Sequence, residues 1–250
     1  MSTGNPPLPG TPPSPAPDTS SMRLVTAATG AVRRRVTVGS RFFGEGSTRV
    51  RDRLAMISWK AGTGWLFDPN TLAQLGTWAY AGEGWGIAWD GDAAVYLSNG
   101  SSTIQVFHAS NYTAGVPLRT VAVTNGGLPI ARLNELEVVC GELWANVWLT
   151  TVLVRIDPAT GVVVGTVDMR GLLTRMVAGG VFDEAKRRSG GAVLNGIAWD
   201  RGGAGGGHAK ADAPTLWVTG KWWPRVFEVT VDDPAVDWGK CAGLPAAGLP

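Results

Sequence analysis

The chain is poor in the residues that much hydrolytic and metal chemistry needs. Its 250 residues include two cysteines and two histidines. Cys140 and Cys241 are too few for a disulfide framework and lack metal-ligand spacing. His108 follows an apolar strand and His208 lies in a run of glycines, which leaves little room for zinc chemistry or a Ser-His-Asp relay. No run of about 18 apolar residues occurs, so no helix long enough to span a membrane is expected. Charge is nearly balanced at +2, so the total demands neither nucleic acid nor an anionic membrane. The arginines do cluster, with Arg33-Arg34-Arg35 followed by Arg41, Arg49, Arg51 and Arg53. Nucleic-acid faces usually carry interleaved stacking groups, so the simpler reading is an exposed strand followed by a polar loop.

Glycine and tryptophan are abundant, at 35 and 12 residues. Four short motifs recur, each opening a segment that reads as strand, turn, strand. They are Gly44-Glu45-Gly46, Gly82-Glu83-Gly84-Trp85-Gly86, Leu133-Asn134-Glu135-Leu136-Glu137 and Leu194-Asn195-Gly196-Ile197-Ala198. Aligned on Glu45, Glu83, Asn134 and Asn195, they are separated by 38, 51 and 61 positions. A period of roughly 40 to 60 residues is the span of one four-stranded propeller blade. In such a fold the inner strand of every blade faces one channel, so residues distant in sequence can build one site.

The rest of the chain fits strands and turns. Val25 to Val38 has two alternating arms around Ala28-Thr29-Gly30. The same design returns at Leu66-Phe67-Asp68-Pro69-Asn70 and at Val154-Arg155-Ile156-Asp157-Pro158-Ala159-Thr160-Gly161, each read as the outer hairpin of a blade. One short helix fits within 171–188, and Gly202 to Ala213 reads as a glycine-rich hairpin insertion. Trp65, Trp78, Trp144, Trp199 and Trp217 sit mid-strand or beside turns and are read as packing groups. Residues 1–21 are expected to form a Pro/Ser-rich disordered segment or loop insertion, and no charged-then-apolar signal pattern precedes its prolines. Residues 22–232 form the propeller domain on this reading, and 233–250 a flexible tail.

The motifs resemble those of the plant-type glutaminyl cyclases, or glutamine cyclotransferases. The matching strings are Phe43-Gly44-Glu45-Gly46, Trp59-Lys60-Ala61-Gly62-Thr63-Gly64, Gly82-Glu83-Gly84-Trp85-Gly86, Leu133-Asn134-Glu135-Leu136-Glu137, Ala145-Asn146-Val147-Trp148, Leu194-Asn195-Gly196-Ile197-Ala198 and Val218-Thr219-Gly220-Lys221-Trp222-Trp223-Pro224. The likeness runs from about Arg23 to Val231. It implies an all-β, five-bladed β-propeller that converts an N-terminal glutamine to pyroglutamate with release of ammonia, without a catalytic metal or other cofactor. The family opens on a strand bearing Phe-Thr-Gln-Gly. No such string occurs here, so the first blade is expected to be incomplete.

In this reaction the substrate's own α-amine attacks its side-chain amide carbon. The nucleophile is already tethered, and well-oriented intramolecular attack is worth up to roughly 7–11 kcal/mol. The protein must move protons and stabilise an oxyanion. A carboxylate beside aromatic walls suits the proton transfers, because desolvation raises its pKa toward neutrality. By resemblance, Glu45 is the general acid/base, Asn134 holds the carboxamide and Lys221 supplies a cation near the oxyanion or peptide carbonyl. Phe43, Trp59, Trp85 and Trp148 bind the substrate. Glu83 lacks a preceding aromatic and is read as structural; Glu135 and Asn195 are weaker candidates for the channel lining. Glu45 to Trp59 and Asn134 to Trp148 both span 14 residues, enough for a strand, a tight turn and a return strand.

The expected partners are peptides or proteins with N-terminal glutamine, with no nucleic acid and with the chain as a monomer. The resemblance points to the secretory pathway, and Asn99-Gly100-Ser101 and Asn111-Tyr112-Thr113 are glycosylation sequons. Two alternatives stay open. One is a calcium-dependent, lactonase-like propeller hydrolase with Glu45, Asn134 and Asn195 as oxygen ligands. The other is a non-catalytic binding propeller with an unclosed first blade.

Overall fold

The structure, a computed structural model, describes residues 2–3, 20–182, 191–200, 215–231 and 236. The expected disordered segment, the hairpin at Gly202 to Ala213 and nearly all of the C-terminal tail lie outside the described residues. The chain divides into two compact units, Met1–Asn99 with Gln105–Arg119 and Gly100–Ile104 with Thr120–Pro250.

The first unit opens with β1 (Ser2–Thr3), β2 (Ser21–Val25) and β3 (Val32–Thr37), a sheet of order β1-β2-β3. Arg33, Arg34 and Arg35 are exposed on β3, as the simpler reading held. Next come β4 (Gly44–Val50), β5 (Arg53–Ser58), β6 (Thr63–Phe67) and β7 (Gln74–Ala79), an up-and-down sheet of order β4-β5-β6-β7. A further sheet joins β8 (Ile87–Trp89), β9 (Ala94–Ser98), β10 (Thr103–His108) and β11 (Arg119–Ala122).

The second unit holds the hairpin β12 (Thr124–Asn125) and β13 (Leu128–Pro129). It continues with the four-stranded sheet β14 (Leu133–Val139), β15 (Glu142–Val147), β16 (Val152–Ile156) and β17 (Val163–Asp168). The helix α1 (Arg170–Ala178) is shorter than the segment that could hold it. A last sheet has β18 (Leu194–Asp200), β19 (Thr215–Gly220) and β20 (Phe227–Thr230). Among the described residues the fold is thus all-β apart from α1 and one short 3-10 turn, and its up-and-down four-stranded sheets have the form of propeller blades. No helix among the described residues is long and apolar enough to cross a membrane.

Burial explains the sequence pattern. The middle strands β5, β6, β15 and β16 are covered on both faces and read as near-continuous apolar runs, whereas β17 alternates residue by residue. In the first unit Ile57, Leu66, Trp78, Ile87, Leu97 and Phe107 form one core, and Met22, Met56, Trp65 and Phe67 another. In the second, Val139, Cys140, Trp144, Leu153, Leu216 and Val236 pack together. Cys140 is disulfide-bonded, which two cysteines so far apart in sequence did not announce. The only other cysteine in the chain, Cys241, lies outside the described residues.

The predicted hairpins share one turn. Asp68 Oδ1 accepts the amides of Asn70 and Thr71 at 3.0 and 2.7 Å, and Asp157 Oδ1 accepts that of Ala159 at 2.8 Å. The donation from Thr71 is the main reason the Asp68 carboxyl is held below the usual carboxylate range. The turn's fifth residue is left-handed in all three hairpins: Gly30, Leu72 and Gly161 have φ of 71, 59 and 78°. Leucine adopts this costly conformation because its side chain is buried beside Met56 and Phe67.

Candidate active site

Each recurrent motif lies on a β-bulge at the start of its sheet. In β4–β5, Gly44 pairs with Ser58 and Ser47 with Met56, so Glu45 and Gly46 share one partner, Ile57. In β14–β15, Leu133 pairs with Val147 and Leu136 with Ala145, so Asn134 and Glu135 share Asn146. In β18–β19, Leu194 pairs with Gly220 and Ile197 with Val218, so Asn195 and Gly196 share Thr219. Two residues against one bend the strand and re-aim a side chain. Glu45, Asn134 and Asn195 thus occupy the same position in their sheets.

The second motif obeys the same rule in a different frame. The Trp85 amide donates to Ser98 O at 2.9 Å, and the Ser98 amide donates to Gly86 O at 3.0 Å. Trp85 and Gly86 therefore share Ser98, and Trp85, not Glu83, is the counterpart of Glu45. The repeat is Gly-x-Gly, as in Gly44-Glu45-Gly46 and Gly84-Trp85-Gly86; alignment on the two glutamates was two residues out.

The residue after each second strand is equivalent as well. The amides of Trp59, Trp148 and Lys221 donate to Phe43 O, Arg132 O and Val193 O at 2.9, 2.8 and 2.8 Å. The shared 14-residue spacing is this register. Lys221 holds the same place, concealed in the sequence by the longer connection between β18 and β19.

A bulge frees the amide of its second residue from the ladder, and a buried amide needs an acceptor. Gly46 N donates to Trp85 O at 3.2 Å and Gly86 N to Ser98 Oγ at 2.8 Å. In the second unit Glu135 N donates to Asn195 Oδ1 at 3.3 Å and Gly196 N to Asn146 Oδ1 at 3.2 Å. Ser98 and Asn146 are fully buried for this purpose. Ser20 likewise accepts the Gly44 amide at 2.8 Å.

The first unit brings Phe43, Trp59 and Trp85 together beside the strand that carries Glu45. The rings of Phe43 and Trp59 meet edge-on at 5.8 Å between centroids. Glu83 Oε2 accepts the indole N–H of Trp59 and of Trp85, each at 2.9 Å. Lys60 Nζ lies 4.2 Å from the Trp59 ring centroid. Glu45 is half-buried. The buried Tyr80 hydroxyl donates to Ser58 O. Burial is the main cause that pushes its pKa up, and the Glu45 charge adds to it. Tyr80 and the buried serines are the residues that motif reading did not find, because each works through a contact distant in sequence or through backbone, whereas Glu83 was read there as structural.

The second unit carries the remaining candidates. Asn134 is 3% exposed, and Trp148 and Lys221 are half-buried. Lys221 Nζ lies 5.6 Å from the Trp222 ring centroid. Asn195 ties β18 to β14 through the Glu135 amide. No group of three or more His, Cys, Asp or Glu side chains gathers in metal-binding geometry among the described residues.

Comparison with known proteins gives a consistent picture. The family model described as glutamine cyclotransferase matches residues 15–231. A curated glutaminyl-peptide cyclotransferase of Arabidopsis thaliana is 34% identical over 211 residues, which is 84% of this chain and 59% of that protein. The chain therefore spans less than two thirds of the length of this relative. The crystal structure of Myxococcus xanthus glutaminyl cyclase superposes with a TM-score of 0.71 at 31% identity, covering 86% of this chain and 84% of that one.

Proposed function

The chain belongs to the glutamine cyclotransferase family, and from that premise we propose that it converts the N-terminal glutamine of peptides to pyroglutamate, with Glu45 as the proton-transfer group. The observation that carries this reading is the first unit's arrangement, a bulge-borne carboxylate on the strand beside three aromatic side chains. In the reaction the Glu45 carboxylate takes a proton from the substrate's α-ammonium. The freed amine attacks the side-chain amide carbon, a C–N bond forms, and the carbonyl electron pair moves onto oxygen. As the intermediate collapses, the bond to the amide nitrogen breaks. Glu45 returns its proton to that nitrogen, which leaves as ammonia, and the ring nitrogen sheds one proton to water. Phe43, Trp59 and Trp85 pack on the glutamine side chain and exclude water. For the second unit we assign Asn134 to the carboxamide, whose amide can donate and accept, Trp148 to a further wall and Lys221 to the oxyanion.

We also read the five larger sheets as five propeller blades, with the three-stranded β1-β2-β3 sheet as the incomplete first. The activity is tested by incubating the protein with a Gln-initiated peptide and following loss of one ammonia by mass spectrometry. Glu45→Gln is expected to lower kcat about 100-fold or more. Unchanged turnover would remove Glu45 from the mechanism.

A further inference from the structure

We propose that Glu83 is a positioning residue that fixes the two tryptophan walls, an inference that rests on the cyclotransferase reading. A single carboxylate oxygen, Oε2, accepts both indole N–H groups at 2.9 Å. An indole nitrogen can only donate, and Glu83 gives each of these two rings an acceptor that fixes its plane. A charged acceptor makes the stronger bond, and Glu83 serves both rings at once.

The backbone around Glu83 is held so that the carboxylate cannot drift. The next amide, Gly84 N, donates to Trp59 O at 2.9 Å, and Trp85 N donates to Ser98 O at 2.9 Å. A Cβ on Gly84 would fall 2.4 Å from Tyr80 Oη and 2.9 Å from Ser58 O, so the chain lies tight against β5 here. Trp59 is braced on its other faces by the Phe43 edge and by Lys60. Glu83 is therefore the common anchor of two residues that flank strands of different sheets, Trp59 after β5 and Trp85 before β8. Its Oε2 is engaged by two indoles, and its work is to orient the rings that receive the glutamine side chain. It has no part in moving the reacting protons.

The test pairs kinetics with a readout that needs no activity. Indole 15N–1H resonances are recorded for the wild-type protein and assigned with Trp59→Phe and Trp85→Phe. Glu83→Ala is expected to move both resonances and to raise KM about tenfold with kcat within about threefold, because walls bind ground and transition states alike. Glu83→Gln keeps an acceptor oxygen and is expected to restore most of both. If Glu83→Ala does not fold, Glu83→Asp, which withdraws the carboxylate by one methylene, should shift the same two signals. Indole resonances that coincide in the wild type and Glu83→Ala would overturn the proposal. So would a loss of kcat of about 100-fold or more in both Glu83→Ala and Glu83→Gln, since Glu83 would then be moving protons. A wild-type protein that leaves Gln peptides unchanged would defeat the cyclotransferase reading, and the indole shifts would still decide the clamp.

Discussion

Gly46→Ala tests whether the bulge at Glu45 depends on close backbone approach. An ideal Cβ at Gly46 would lie 2.8 Å from Gly86 Cα, 3.0 Å from Ile87 N and 3.0 Å from Trp85 O. All three are main-chain atoms, so no side chain can rotate out of the way. Either β8 retreats or the bulge reopens, and both strain the Gly46 N to Trp85 O bond that crosses the same gap. Overpacking of this kind costs about 1–3 kcal/mol, and a hydrogen bond of this type contributes about 1 kcal/mol net. The sum is about 2–4 kcal/mol. In a chain of this length each kcal/mol moves Tm by roughly 2–4 °C, so Tm should fall on the order of 10 °C. Gly76→Ala is the control, because nothing lies within 4 Å of its Cβ and its φ is not positive. That variant should stay within about 0.5 kcal/mol of the parent. Thermal melts of the two variants side by side decide the matter. If Gly46→Ala melts within about 2 °C of Gly76→Ala, the close-approach reasoning fails.

Two further outcomes follow from buried ionisable groups. The chain has three tyrosines, Tyr80, Tyr96 and Tyr112. All are buried, burial raises each pKa, and that of Tyr112 reaches about 12. A neutral form favoured by folding stabilises fully below the unfolded pKa, near 10, and that stability is lost as pH rises through the folded value. Absorbance titration of folded protein should therefore show no normal tyrosine, and Tyr112→Phe should flatten the fall in stability between about pH 10 and 12; a tyrosinate signal centred near 10 would contradict this. Separately, Arg155 is 1% exposed and is paired to Glu142 through bonds of 2.8 and 3.0 Å. Glu142→Ala leaves that guanidinium buried without its carboxylate and should cost about 3–5 kcal/mol by denaturant unfolding, and a loss under about 1 kcal/mol would refute the burial argument.

Local chemistry was legible in the sequence wherever the structure uses local chemistry. Asp-Pro followed by Thr marks the turn because the Asp68 and Asp157 carboxylates cap amides two or three residues on. The apolar runs of β5, β6, β15 and β16 mark strands covered on both faces. The pairing of Glu45 with Trp59 and of Asn134 with Trp148 was visible because a short hairpin keeps spacing constant. Lys221 could not be matched to Trp59 in this way, since the connection after β18 is long. The frame of the second motif was misread because two glutamates flanked by glycine look alike in sequence. The hydrogen bonds to Ser98, not the residue type, decide which position is bulged. The disulfide at Cys140 had no local signal at all.

The shared bulge also divides the polar residues of the motifs by what holds them there. Asn195, Asn146 and Ser98 each accept an amide that a bulge has released, so backbone requirements alone explain their polarity. An alanine at any of them would leave a buried or part-buried donor without that acceptor, at a cost of up to about 1–3 kcal/mol, whatever the protein catalyses. In the first bulge that same duty falls to the Trp85 carbonyl, which any residue type could provide. The side chain at 85 is thereby not fixed by that duty, and the motif keeps its glycines for approach while varying the residue between them. A position whose backbone is served by a neighbouring carbonyl can change side chain without unmaking the fold. The bulge at Glu45 thus asks of residue 85 a carbonyl and not a particular side chain.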